Sequence, residues 1–157
     1  MSNTELTPLT IERVRAFFDA QGWQYHDGSA QESVRTGFNG MGLEINRVAP
    51  NLFVTTSVAV EDVTADRYPE VLAWVERQNN TKAFPTATAL KDEGRNLAAL
   101  GVSYTIPGYW EHTDEQFAAH LTTGIESVLN TAREFLSEFA PAVLERLDAD
   151  ASAARGE

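Results

Sequence analysis

Ile11, Val14, Phe17 and Phe18 recur at helical spacing while Glu12, Arg13 and Arg15 fall elsewhere, so a first, amphipathic helix is predicted here. Thr7-Pro8 or Thr10 can open it, and Gly22 ends it. Trp23, Gln24 and Tyr25 then start an extended run, and Asp27-Gly28 reads as a turn. Val34, Thr36 and Phe38 alternate with polar or small residues on one side of Asn39-Gly40, and Leu43 and Ile45 alternate on the other. Asn-Gly is a strong hairpin signal because both residues accept positive φ; the pattern leaves open whether it makes a hairpin or a bulged strand. Residues 52–60 look like an interior strand, with Leu52, Val54, Val58 and Val60 on one face.

Asp66 is placed to cap a second helix, whose stripe is Tyr68, Val71, Leu72, Val75 and Asn79. Two further strands are predicted over 84–90 and 96–106, joined by Lys91-Asp92-Glu93-Gly94 with Gly at a left-handed position. Thr113, Asp114, Glu115 and Gln116 form a capping box for a long helix, which carries Phe117, Leu121, Gly124 or Ile125, Val128, Ala132, Phe135 and Phe139 on one stripe. Pro141 ends or kinks that helix, and residues 142–147 add another turn or two. The order is helix, strands, helix, two strands, long helix. Strands bunched between helices mean an α+β fold with an antiparallel sheet. Neither an internal repeat nor a linker interrupts the pattern, so residues 1–147 are expected to form a single domain. The small polar tail, 148–157, is expected to fray.

The 157 residues carry 12 Lys and Arg against 23 Asp and Glu, a net charge of -11 that disfavours nucleic acid as a partner. With zero Cys, disulfides, thiolate metal sites and a cysteine nucleophile are excluded. His112 and His120, about two helical turns apart, miss the spacing of a helical metal-binding pair, so they and His26 read as solvated or capping residues. Ser33, Ser57, Ser103 and Ser127 lack a nucleophile-elbow context, and Gly37, Gly40 and Gly42 read as turn or bulge residues. Glu111 and Asp114 are explained by a helix start. No catalytic residue, cofactor or metal site is expected. The first ten residues lack the basic and apolar regions of a signal peptide and no run is long enough to span a membrane, so a cytoplasmic protein without membrane partners is expected.

The aromatic residues remain. Trp74 falls beside the main stripe of its helix, and Tyr109-Trp110 sits in a loop where large rings are costly to expose. Val71, Trp74, Tyr109 and Trp110 are therefore the candidate residues of a protein interface.

Several of these signals, in this order, resemble the YbjN-like family. They are Gly22-Trp23-Gln24-Tyr25, then Asp27-Gly28, Phe38-Asn39-Gly40, the apolar strand 52–60, Asn79 ahead of Phe84-Pro85, and Thr113-Asp114-Glu115-Gln116-Phe117. Glu76 and His112 depart from the family's pattern. The resemblance implies a fold like that of type III secretion chaperones, a tendency to form homodimers, and a role in sensory-transduction regulation; it brings no catalytic residue. The chain is thus expected to be a non-enzymatic regulator or chaperone-like adaptor that binds a protein partner or client through an apolar surface. The alternative is a small-molecule sensor with a pocket between the sheet and the last long helix.

Overall fold

The computed structural model describes residues 4–156. Helix α1 (Ile11–Gln21) begins at Thr10, whose hydroxyl accepts from the Arg13 amide at 3.2 Å, and ends at Gly22 with φ +70°. Both ends are satisfied by residues suited to them. There follow β1 (His26–Asp27), β2 (Ser33–Phe38), β3 (Met41–Val48) and β4 (Asn51–Val58). Phe38 pairs with Met41 across a two-residue loop in which Asn39 (φ +50°) and Gly40 (φ +80°) are both left-handed. The alternatives left open by Asn-Gly resolve to a tight hairpin.

A 3₁₀ turn (Ala65–Arg67) leads into α2 (Tyr68–Thr81). Asp66 does not cap α2: it lies inside that turn and accepts from the Thr64 hydroxyl. Strands β5 (Thr86–Asp92) and β6 (Leu97–Ile106) form a further hairpin. The left-handed residue there is Asn96 (φ +56°), not Gly94; a short polar side chain tolerates this region where other residues resist it. Helix α3 (Asp114–Phe139) opens with the capping box expected of Thr113 and Gln116.

The six strands make one antiparallel sheet in the order β1-β2-β3-β4-β6-β5. Val34, Leu43, Ile45, Leu52, Val54, Leu100, Val102 and Ile106 fill the core with Val14 and Phe18 of α1, Val71 of α2 and Leu121, Val128 and Phe135 of α3. The helices thus share one sheet face. The other face carries Arg35, Gly37, Gly42, Glu44, Ser57 and Thr88, of which all but half-buried Glu44 are exposed. That arrangement is the ordinary one for an antiparallel sheet with one wet side. Gly124 lets α3 approach closely, since a Cβ there would lie 2.7 Å from Tyr104 and 3.2 Å from Val54.

The chain end departs from the sequence pattern. Instead of fraying at residue 148, helix α4 (Pro141–Arg155) continues to Gly156. Val143, Leu144 and Leu147 pack against the core, and Asp148 accepts a two-pronged ion pair from Arg133 at 2.9 and 3.1 Å. Those contacts fix a segment whose own sequence is small and polar.

Candidate functional site

The four interface candidates divide into two pairs. Val71 and Trp74 are buried, Trp74 to 5% exposure. The Trp74 ring meets Phe135 and Phe139 of α3 edge-on at 5.5 and 6.3 Å, in the geometry aromatic pairs prefer. The buried residues of α2 are Val71, Trp74 and Val75, and Leu72 is exposed. The helix is therefore rotated toward Trp74 relative to the stripe read from sequence, because α3 offers two Phe rings on that side. This burial takes Val71 and Trp74 off any docking surface of the described structure.

Tyr109 and Trp110 are the reverse case, 77% and 71% exposed. Their loop is held from behind. The Gly108 amide donates to the Asn51 side chain at 2.9 Å, and a Cβ on Gly108 would fall 1.8 Å from the Pro50 carbonyl oxygen. At the loop's far end Thr7 and His112 exchange backbone hydrogen bonds at 3.1 and 3.0 Å. Arg13 ties this end together. Its guanidinium donates to the carbonyls of Thr7, Pro8 and His112 and to Asp114, and lies 4.6 Å over the Phe117 ring. Tyr109 and Trp110 are thus presented on a braced loop.

His112 is neither solvated nor a cap. It is 7% exposed, with its ring 5.4 Å from that of His120, whose Nδ1 lies 3.4 Å from the Tyr104 hydroxyl. Burial, reinforced by His120 and Arg13, lowers its pKa. Among the described residues no group of three His, Asp or Glu side chains is arranged to hold a metal ion.

Glu44 is a strongly perturbed carboxylate. Burial would raise its pKa, but the Ser29 hydroxyl (2.7 Å) and amide (2.8 Å), with Arg35 (3.2 Å), stabilise the carboxylate and bring it down to about 2. The effect of this cluster is to close the loop before β2 onto β3.

A wide concavity lies between α1, the β2–β3 hairpin and α3, a groove of about 890 Å³. Phe17, Trp23, Phe38 and Met41 form one wall; Ile125 and Leu129 form the other. Small residues, Ala118, Ala119 and Thr122, leave the space open along α3, and Gln21, Asn39, Glu126, Asn130 and Arg133 supply polar groups. Trp23 is fixed by edge-on contacts to Phe17 at 5.7 Å and Phe38 at 4.9 Å. The sequence pattern placed Phe17 on the apolar stripe of a helix and Phe38 in an alternating strand, and did not bring the two together. Its one signal was the run of small residues on α3 at 118, 119 and 122.

No helix among the described residues is long and apolar enough to cross a membrane. No curated protein sequence matches this chain. A solved structure similar to it is the crystal structure of YbjN from E. coli, described as "a putative transcription regulator". That structure is 15% identical, covers 83% of this chain and 96% of its own, and superposes with a TM-score of 0.67, a likeness of fold. The family model for YbjN, described as "Putative bacterial sensory transduction regulator", matches residues 10–137, which include every strand and helices α1 and α2 and nearly all of α3. By that match the chain belongs to the YbjN family.

Proposed function

We propose that this chain is a non-enzymatic regulator that acts by binding a protein partner, and that the groove between α1, the β2–β3 hairpin and α3 is its binding element. The observation that carries the reading is the groove itself: the rings of Phe17, Trp23 and Phe38 face a stretch of α3 that is small at Ala118, Ala119 and Thr122 and apolar at Ile125 and Leu129, with a polar rim. Such concave apolar sites with a few placed polar groups are where proteins hold ligands and partner segments. The family's description as a regulator agrees with it. Tyr109 and Trp110, exposed on the braced loop before α3 and outside the groove lining, fit a second contact area for a client or a second copy.

The test is affinity capture from native lysate with the wild type, Thr122→Phe (which fills the groove) and Trp110→Ser. A partner held by the wild type and lost with Thr122→Phe supports the reading. One held equally by both places binding elsewhere, and loss with Trp110→Ser alone moves it to the loop. A small-molecule sensor is the second reading, favoured by the groove's volume, which lies within the usual range of ligand sites. Melting shifts across a metabolite panel, abolished by Thr122→Phe, would favour it over a protein partner.

A further inference from the structure

We propose, building on that protein-binding reading, that the groove receives an amphipathic helix of a partner protein whose polar side carries Lys or Arg. The shape argument comes first. The lining along α3 runs from Ala118 to Arg133, which at 1.5 Å per residue is roughly 22 Å, or about four helical turns. A trough of that length, apolar on both walls, takes a helix through anchors spaced i, i+3 or i+4 and i+7.

Charge then selects the kind of helix. Two charged residues line the groove, Glu126 and Arg133. Arg133 is already neutralised by Asp148 of α4 through two contacts, at 2.9 and 3.1 Å. Glu126 is exposed and has no ion-pair partner among the described residues. The one charge left to the occupant is therefore negative, in a protein whose net charge is -11. The Trp23 and Phe38 rings in the same lining add aromatic faces of the kind to which a cationic side chain is drawn. A second copy of this chain would bring another -11 and no compensating field, which disfavours it as the occupant.

The experiment uses two labelled model helices of about 16 residues, one Leu/Lys and one Leu/Glu, matched to the groove's length. Binding is read by fluorescence anisotropy to the wild-type chain, Glu126→Lys, Glu138→Lys and Thr122→Phe, each checked for a native melting transition. Glu138 is exposed on the same helix outside the groove. The Lys helix should bind, lose about tenfold in affinity with Glu126→Lys, change less than about twofold with Glu138→Lys, and lose binding with Thr122→Phe. Equal weakening by the two charge reversals would show attraction to bulk charge and overturn the proposal. So would equal binding of the Glu helix, which leaves the protein-binding groove standing. A wild-type dimer in sedimentation that Thr122→Phe makes monomeric would assign the groove to a second copy and overturn it. Binding of the Lys helix unchanged by Thr122→Phe would overturn both the proposal and the groove reading beneath it.

Discussion

Asn79 clasps the backbone of Ala87 from the side: its Nδ2 donates to the Ala87 carbonyl and its Oδ1 accepts from the Ala87 amide, both at 2.9 Å. Ala87 lies on β5, the edge of the sheet, where backbone groups would otherwise be open to another chain. A side-chain amide has the same donor and acceptor as a peptide group, so Asn79 stands where a neighbouring strand would pair. Asn79→Ala should lower stability by about 1 kcal/mol, because water can replace part of what is lost at this edge. Asn79→Asp keeps an acceptor but sets a carboxylate against the Ala87 carbonyl, and should be at least as damaging at neutral pH. Urea midpoints and hydrogen exchange at the Ala87 amide check both; an unchanged exchange rate would mean that the clasp does not protect the edge.

Trp74→Ala should destabilise by about 3–5 kcal/mol, the range for truncating a large buried aromatic. Trp74→Phe, which keeps a ring against Phe135 and Phe139, should cost less than half of that. Denaturant unfolding separates the two. Partner binding by folded Trp74→Phe should match the wild type; a binding defect without a stability defect would return Trp74 to the interface.

The elements were legible because each has a local cause. Thr10, Gly22, Asn39-Gly40 and the Thr113/Gln116 box act within a few residues of themselves, and the structure places each where its chemistry demands. What the sequence concealed is set by packing between distant segments. Trp74 is buried because Phe135 and Phe139 approach from 61 and 65 positions away, which no periodicity within α2 records. Tyr109 and Trp110 stand out because Asn51, Pro50 and Thr7 hold their loop from behind. The groove is the hardest case, since it is made of space, and only the small residues at 118, 119 and 122 hint at it.

Gly108→Ala tests the bracing of the aromatic loop. The added methyl would fall 1.8 Å from the Pro50 carbonyl oxygen, a backbone atom that cannot swing aside, so the loop or the β3–β4 turn must move. Destabilisation of about 1–3 kcal/mol is expected, together with loss of the Gly108 amide bond to Asn51. Increased mobility of Tyr109 and Trp110, read by Trp fluorescence anisotropy, should accompany it. A rigid loop with unchanged stability would show that the contact is easily relieved.

Acid should weaken the fold, and His112 and Glu44 contribute to it with the same sign. His112 is held below its ordinary pKa of 6.5, so the unfolded chain takes up its proton first and stability falls as the pH drops below that value. Glu44 has an ordinary value of 4.5 and a folded value of about 2, so its contribution is complete above pH 4.5 and is lost between there and pH 2. The carboxylate is mostly buried, and after allowance for solvent screening its share is roughly 2–3 kcal/mol. Glu44→Gln should therefore lower the melting temperature at pH 7 and converge with the wild type near pH 2, because a neutral amide has no proton to take up. Parallel melting curves for the two proteins from pH 7 to pH 2 would mean that the Ser29 and Arg35 bonds do not hold Glu44 ionised. The same titration followed at Ser29 by NMR would locate the opening, which should appear in the loop before β2 ahead of the hairpin that follows it.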